Sequence, residues 1–294
     1  MGMESLHQNC LICKSTNIKS LKHYKKSLLV KCRDCGFVFS SKIPAHNELI
    51  IHYENYGRDD YLSPLTVKRY HDILDEFEIY RKNNNLLDIG CGIGYFLEEA
   101  KKRGWNTYGT EFTERAIEIC KGKGIQMYSG VLNPDNYQDT TFDVITSFEV
   151  LEHINNPSEE ISSIRKILRK GGLFFFTTPN FNSLLRYFLK ENWNVIAYPE
   201  HLSYYTPKTI KRLLKNNSFK KKKLQTTGIS VTRLRNSFID GNRPNISSTT
   251  TDEKLRKSFE SNYFMRSIKY LLNAVLNIMA VGDTLKGYFV KEQD

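Results

Sequence analysis

Short apolar runs alternate with amphipathic segments over residues 85–180, and this alternation predicts most of the fold. The run Leu86–Ile89 is apolar except for one aspartate, as expected of a buried strand. Residues 95–103 then follow a helical period, with apolar side chains on one face and charged ones on the other. A second strand is predicted at Asn106–Glu111, and the alternation continues at regular distances. This order predicts a doubly wound α/β fold, with helices on both faces of a parallel sheet.

The stretch before this unit predicts one long helix and a linker. The helix is expected over Leu65–Lys82, where apolar residues recur at helical spacing. The linker before it holds three clustered tyrosines that could stack on adenine or on a substrate, Tyr53, Tyr56 and Tyr61. Two interpretations remain open: the segment folds over a cofactor as a lid, or it packs on the core as a connector.

The C-terminal part predicts two final strands separated by an insertion. The strands are expected at Leu224–Val231 and Asp283–Val290, with a polar loop at 240–252 and a helical run from Lys254 to Ala280 between them. The whole chain then divides into an N-terminal ribbon at 1–43, a linker and helix at 44–85, a core at 86–235, a helical insertion at 236–281 and a last core strand at 282–294.

The first strand ends in a turn that carries a glycine at every second position, Gly90, Gly92 and Gly94. Such glycines let a ligand lie against the backbone and leave helix-start N–H groups to bind it. A dinucleotide-binding turn has its third glycine one position later, where Tyr95 stands. With Asp88 still inside the strand, the D-x-G-x-G-x-G pattern resembles motif I of the class I S-adenosylmethionine (SAM) methyltransferases.

This resemblance covers most of residues 70–232 and returns at Gly282–Lys291. It implies a mostly parallel, seven-stranded, Rossmann-like sheet, with SAM as the cofactor. Glu111 follows Asp88 by 23 positions, where a carboxylate can accept hydrogen bonds from both ribose hydroxyls. The other positions that the resemblance assigns to SAM are Gly90, Cys91, Gly92, Gly94 and Tyr95 in the turn, Phe112 after Glu111, Val131 and Leu132 at adenine, and Phe148 near the sulfonium.

Four cysteines near the N-terminus have the spacing of a metal site. Cys10, Cys13, Cys32 and Cys35 form C-x2-C-x18-C-x2-C, which is typical of tetrahedral zinc. Two disulfides are the alternative, but the intracellular type of the catalytic unit disfavours them. Because four thiolates leave no open coordination position, the predicted zinc is structural.

A second candidate site combines carboxylates with histidines. Glu149, Glu152 and His153 are spaced i, i+3 and i+4, which places them on one face of a predicted helix. This group resembles that of ubiquinone-biosynthesis O-methyltransferases and of small-RNA terminal 2′-O-methyltransferases, which use it to hold a divalent ion such as Mg²⁺. His201 would then be the fourth ligand or a general base, and Glu149, His153 and His201 the catalytic residues. Alternatively, the carboxylates favour the helix dipole and the histidine packs on a loop.

The order of motifs bears on the methyl acceptor. The chain resembles bacterial methyltransferases of surface-polysaccharide and secondary-metabolite pathways in the order of three features: the cysteine ribbon, the E-V-L-E-H motif and the P-E-H-L-x-Y-x-T motif. This favours O-methylation of a small-molecule or glycan hydroxyl, on an acceptor that is free or linked to a nucleotide or lipid. RNA methylation, sugar C-methylation and an inactive SAM-binding scaffold stay open as alternatives, and nucleic acid is disfavoured as a partner because Ser147-Phe148-Glu149-Val150 replaces an N-P-P-Y-type tetrapeptide.

The charge is concentrated in the C-terminal half. Residues 181–294 hold 20 Lys/Arg against 9 acids, which equals the net charge of +11 for the whole chain. Such a surface suits an anionic substrate, nucleic acid or an anionic membrane, although it can also be a plain solubilising surface. The helix within 254–280 either contacts a membrane, covers the pocket or forms a homodimer. With no predicted membrane span or leader, we expect a cytoplasmic location, with peripheral contact at the inner face of the membrane as an option.

Overall fold

The structure, a computed structural model, describes residues 6–24, 27–44, 62–137, 141–228 and 263–292. Three expectations lie outside these residues: the lid tyrosines Tyr53, Tyr56 and Tyr61, the polar loop at 240–252, and the start of the helical run at Lys254. Within the described ranges, no helix has both the length and the apolarity needed to cross a membrane.

The described elements follow the predicted alternation of strand and helix. The strands are β1 (Ile18–Ser20), β2 (Leu29–Cys32), β3 (Val38–Ser40), β4 (Asn85–Ile89), β5 (Asn106–Glu111), β6 (Gln126–Ser129), β7 (Phe142–Phe148), β8 (Leu168–Pro179), β9 (Ser203–Tyr204), β10 (Phe219–Thr227) and β11 (Thr284–Lys291). The α-helices are α1 (Pro64–Phe77), α2 (Tyr95–Lys102), α3 (Glu114–Gly122), α4 (Pro157–Ile167), α5 (Leu184–Leu189), α6 (Pro207–Asn216) and α7 (Tyr263–Ile278).

A seven-stranded sheet forms the centre of the molecule, in the order β10-β11-β8-β7-β4-β5-β6. The strands from β8 to β6 are parallel, whereas β11 runs antiparallel to both β8 and β10. The order places β4 between β7 and β5, so the chain reverses its winding direction at β4. Ligands of open α/β sheets bind beside such a reversal, at the carboxyl ends of the strands. This sheet confirms the predicted doubly wound architecture.

Apolar side chains cover both faces of the sheet. Phe174 and Phe176 of β8 belong to the core on one face, and Phe175 belongs to the core on the other. Helix α1 covers the second face, where the ring of Phe77 lies 5.4 Å from that of Phe175. The helix is capped by the hydroxyl of Ser63 and ends at Phe77, before the Lys82 expected from the sequence, and a 3-10 turn follows it. Two separate cores of this kind are typical of the three-layer α/β arrangement.

The cysteine ribbon is joined to the larger α/β unit through a shared sheet. Its strands β1, β2 and β3 continue into β9, so that residues 203–204 complete a second sheet of four strands. The ring of Phe37 in the ribbon lies 5.3 Å from that of Tyr205, and the two residues belong to one continuous core. The hydroxyl of Ser158 also donates to the carbonyl of Leu11. The ribbon expected at 1–43 therefore packs directly against the larger unit.

The structure corrects the expected helix at Glu149–His153. Glu149 has a φ of +53°, outside the right-handed helical region, and only a short 3-10 turn forms at Leu151–His153. The next α-helix, α4, starts at Pro157 instead. The three residues therefore do not share one helix face, and any grouping among them has to come from tertiary contacts.

Candidate functional site

The glycine turn between β4 and α2 has the shape expected of a ligand cradle. Gly90, Gly92 and Gly94 have φ values of +65°, +55° and +76°, a region that L side chains rarely adopt. A Cβ on Gly90 would lie 2.7 Å from the side chain of Val150, and one on Gly94 would lie 2.7 Å from Ile125. The backbone conformation therefore favours glycine at all three positions, and the lack of space disfavours a side chain at Gly90 and Gly94 as well.

Glu111 is fixed beside this turn by backbone donors. Its Oε2 accepts a hydrogen bond of 2.9 Å from the N–H of Gly92, and its Oε1 accepts one of 2.7 Å from the N–H of Phe112. A carboxylate has about four lone-pair positions, so further acceptor capacity remains for the two hydroxyls of a ribose. Asp88 is 3% exposed, and its Oδ1 accepts a hydrogen bond of 2.7 Å from the hydroxyl of Thr146. Both carboxylates are thus held in place at adjacent strand ends.

The other residues expected around SAM differ in their exposure. Val131 and Phe112 are 62% and 53% exposed, whereas Leu132 is buried. The ring of Phe148 packs 4.9 Å from that of Phe96, at the carboxyl end of β7. The ammonium of Lys123 lies 4.5 Å from the centre of the Tyr95 ring.

Cys91 and Cys120 lie under the glycine turn as neighbouring thiols. Both donate towards the carbonyl of Gly92, with S···O distances of 3.6 and 3.3 Å. The hydrogen bond from Cys120, followed by burial, raises the pKa of Cys91 far above its ordinary value. Cys91 therefore stays a neutral thiol that packs beneath the turn.

Three of the four predicted carboxylate and histidine residues meet near this edge of the sheet. Glu152, His153 and His201 each offer a ligand atom, and these atoms lie within 4.8 Å of one another. The backbone brings them together, because the N–H of Leu202 donates to the carbonyl of Glu152 at 2.8 Å. The cluster lies beside the glycine turn, since Val150 fills the space against Gly90 and directly precedes the 3-10 turn.

The protonation of the two imidazole rings follows from their partners. Nδ1 of His153 lies 2.7 Å from the carbonyl of Glu200, and Nδ1 of His201 lies 2.6 Å from the carbonyl of Val195. A carbonyl oxygen can only accept, so each Nδ1 must carry the proton. In the neutral rings this leaves the lone pair on Nε2. Histidines held in this way are typical of metal ligands and of general bases.

Glu152 is the carboxylate of this cluster, and Glu149 lies outside it. Glu152 is 2% exposed, and its Oε2 accepts a hydrogen bond of 2.9 Å from Thr178 of β8. The backbone N–H of Glu149 donates to Thr177 at 2.9 Å, and its φ of +53° turns it away from the helical path expected for it. Two imidazoles and one carboxylate form a donor set that suits a divalent ion of borderline hardness.

Sequence reasoning missed the residues that support this cluster. Thr178 of β8 holds Glu152, and the carbonyl of Glu200 holds His153, both from distant parts of the chain. The carbonyl of Val195 holds His201 from six positions earlier. The Pro199-Glu200-His201 stretch indicated that a histidine lies here, but backbone acceptors leave no residue-specific signal in a sequence.

The four ribbon cysteines meet as predicted. Their sulfur atoms lie within 4.8 Å of one another, and the Cys10–Cys35 and Cys13–Cys32 pairs are each 3.5 Å apart. A tetrahedral zinc with bonds of about 2.3 Å separates its sulfurs by about 3.8 Å, so the set fits zinc. All four are free thiols, whereas a disulfide would hold sulfurs about 2.05 Å apart.

Backbone hydrogen bonds favour the thiolate form of part of this set. Burial opposes ionisation at Cys32, but the N–H groups of Cys35 and Asp34 outweigh it and lower the pKa of Cys32 to about 7. Burial raises the pKa of Cys10 to about 11. A metal ion would therefore displace protons most easily at Cys32.

Comparisons with known proteins agree with this geometry. A family model described as a methyltransferase domain matches residues 61–224, more than half of the chain. A ubiquinone biosynthesis O-methyltransferase from Coxiella burnetii is 32% identical over 117 residues, which are 36% of this chain and 48% of the relative. A protein of the same name from Idiomarina loihiensis is 29% identical over 131 residues, 42% of this chain and 51% of the relative. The chain thus spans about half the length of the curated relatives it matches.

Solved structures show the same fold at low identity. A SAM-dependent methyltransferase from Archaeoglobus fulgidus has a TM-score of 0.53 at 21% identity, over 84% of this chain and all of that one. Phosphoethanolamine N-methyltransferase 2 from Haemonchus contortus, solved with SAM, has a TM-score of 0.53 at 17% identity, over 87% of this chain and 62% of that one. The chain therefore belongs to the methyltransferase domain family and has the fold of the class I SAM-dependent methyltransferases.

Proposed function

We propose that this protein transfers a methyl group from SAM to a hydroxyl oxygen of a small molecule or glycan. One observation carries the proposal: the Glu152–His153–His201 cluster lies beside the glycine turn, because Val150 packs against Gly90 and directly precedes the 3-10 turn of the cluster. The turn suits SAM, and the cluster suits the removal of a hydroxyl proton. Relatives that match part of the chain are named ubiquinone biosynthesis O-methyltransferases, which also favours an oxygen acceptor.

The turn and its carboxylates would hold SAM. Gly90, Gly92 and Gly94 would let its methionine end lie against the backbone, with Asp88 organising the amino group. Glu111 would accept the ribose hydroxyls, and its N–H partners hold it in the required place before SAM arrives. SAM itself supplies an electrophilic methyl group on a sulfonium. The rate gain then comes mainly from orientation, which is worth up to roughly 7–11 kcal/mol.

The histidines would act on the acceptor hydroxyl. With Nδ1 protonated, Nε2 of His201 can accept the proton that the hydroxyl loses during transfer. The same three residues also fit a divalent ion, and such an ion would supply Lewis-acid stabilisation of the acceptor oxygen. Glu152 and His153 distinguish the metal-assisted mechanism from the general-base mechanism, because a metal ion needs them as ligands and a base at His201 does not.

The ribbon would have a structural task. We propose that Cys10, Cys13, Cys32 and Cys35 hold one zinc ion, because four sulfurs at these distances leave no position for a substrate. The ion would fix the two knuckles and so the strand pairing that ends at β9.

A methyl-transfer assay tests the proposed function. The purified protein would be incubated with SAM labelled in its methyl group and with phenols, glycans, nucleotide-linked sugars and RNA in separate reactions. We expect label in an ether linkage on a phenol or a glycan. Label on RNA, on carbon, or on no acceptor despite tight SAM binding would contradict the proposal, and the last result would identify an inactive scaffold. A His201→Ala variant serves as the matched control for turnover.

A further inference from the structure

The N-terminal ribbon is strongly basic, but the acidic linker that follows it in the sequence cancels most of this charge when the two segments are counted together. Residues 1–43 hold eight Lys/Arg against two acids, whereas residues 44–81 hold four against eight. Summed over both segments, the net charge is only +2. From Lys14 to Arg33 the chain has seven basic residues and not one acid. A zinc ion with four thiolates has a charge of about −2, so the metal site offsets only part of this excess.

Three of these basic residues lie together on the outer face of the ribbon. Lys19 of β1 and Lys31 of β2 are directly opposite each other in the antiparallel register. Lys31 is exposed although its strand neighbours Val30 and Cys32 are buried, and Arg33 is exposed in the turn that follows β2. Like charges directly across two strands are destabilising. A bound anion would offset this repulsion.

The same residues border an open groove. It has a volume of about 400 Å³ and is lined by Lys19, Ser20, Leu21, Lys31 and Arg33. Asp34 is the nearest acid in the sequence, but it accepts hydrogen bonds from Ser15 and Asn17 at 2.5 and 3.0 Å. Within the described residues, none of the three basic groups is paired with a carboxylate. The groove thus keeps its positive charge.

We propose that this groove binds a compact polyphosphate, such as the diphosphate of a nucleoside diphosphate or of a lipid diphosphate. Arginine binds phosphate through two parallel N–H groups, and lysine adds point charges. Single-stranded nucleic acid is less suited, because the described lining has no aromatic ring on which a base could stack. The groove lies at β1, the far end of the ribbon sheet from β9, so it is a separate site from the methyl-transfer residues.

Calorimetric titration of the zinc-loaded full chain with inorganic pyrophosphate tests this site. We compare the wild type with K19Q/K31Q and with a control, K220Q/K221Q, which removes the same charge from two exposed positions on β10. We expect K19Q/K31Q to bind pyrophosphate about tenfold or more weakly, and the control to stay within about twofold of the wild type. Arg33→Gln is a second variant, for use if the double variant loses zinc or unfolds.

Further titrations distinguish the sources of the diphosphate. ADP presents the phosphate in soluble form, and vesicles containing an anionic phospholipid present it in lipid form. Tighter binding of ADP than of pyrophosphate would indicate a nucleotide ligand. Tighter binding of the vesicles would indicate a lipid ligand. The proposal is wrong if pyrophosphate does not bind, or if the control and K19Q/K31Q lose equal affinity. Binding of a single-stranded RNA oligomer in the absence of any pyrophosphate binding would replace it with an extended nucleic-acid surface.

Discussion

Glu111 is the residue whose local structure best supports the proposed role in SAM binding. Both of its oxygens are aligned by backbone N–H groups, so the side chain needs no reorganisation to receive a ribose. Glu111→Gln replaces one acceptor oxygen with an NH₂ group that faces these donors. We expect a loss of SAM affinity of about 2 kcal/mol or more, at least about thirtyfold. Calorimetry measures it, with Glu114→Gln, an exposed neighbour, as the matched control.

The glycine turn provides a second comparison at the residue scale. Gly92→Arg places a long side chain in the cradle at a φ of +55°, and Asp88→Ala removes a buried carboxylate beside it. We expect both variants to lose measurable SAM binding while they remain folded, as circular dichroism would verify. Normal SAM affinity in both would remove the turn from the proposed site.

His201 decides between a base and a metal ligand. If it is a base, His201→Ala lowers turnover by about 10²–10⁴ and a chelator has no effect. If Glu152, His153 and His201 hold an ion, a chelator stops transfer and Mg²⁺ or Mn²⁺ restores it, with SAM affinity unchanged. His23→Ala, in an exposed position of the ribbon, is the control. A His201→Ala enzyme with normal turnover that also ignores the chelator would exclude the cluster from catalysis.

The sequence identified His153 and His201 but not the reason that they meet. Their spacing of 48 positions carries no distance information, and their Nδ1 partners are backbone carbonyls that any residue could supply. Glu149 shows the opposite case. Its spacing suggested a helix face, but a positive φ at that residue stops the helix before it begins. Residue types thus indicated which side chains could form the cluster, whereas local backbone geometry decided which of them meet.

The regular strands and helices could be predicted from the sequence, whereas the pairing that joins the ribbon to the larger unit could not. Buried strands such as β4 and amphipathic helices such as α2 have periods that can be read from sequence alone. The two-residue strand β9 has no such period, because its partner is a ribbon strand more than 160 positions earlier. This join makes the ribbon a structural neighbour of the cluster, since Leu202, next to β9, binds Glu152.

The join at β9 predicts what loss of the ribbon metal would do. Cys10→Ser and Cys32→Ser should lower zinc from about one ion per chain to well below one, and should lower the melting temperature. We expect turnover to fall as well, because β9 holds the segment that carries His201. SAM affinity should stay close to normal, since the glycine turn belongs to β4 and β5. Zinc analysis, melting curves and calorimetry measure the three effects, with Thr16→Ala, exposed in the same loop, as the control. A metal-free wild type with disulfides would contradict the zinc proposal.

For the whole molecule, one buried carboxyl group links stability to pH. Glu160 of α4 is 9% exposed, and burial raises its pKa from 4.5 to about 7. Between these two values the folded protein keeps the proton that the unfolded chain releases. Folding stability should therefore decrease as the pH rises from about 4.5 to about 7, and remain at the lower level above that.

Glu160→Gln removes this dependence, because glutamine has nearly the same shape and no charge to bury. A pKa shift of this size corresponds to about 3 kcal/mol, so the variant should be more stable than the wild type by up to about 3 kcal/mol at pH 8. At pH 5, where Glu160 is protonated in the folded state, the difference should become small. Urea unfolding at both pH values measures this, with Glu159→Gln, exposed on the same helix, as the control. Equal stability of Glu160→Gln and wild type at pH 8 would mean that the carboxylate is solvated or paired after a local rearrangement of α4.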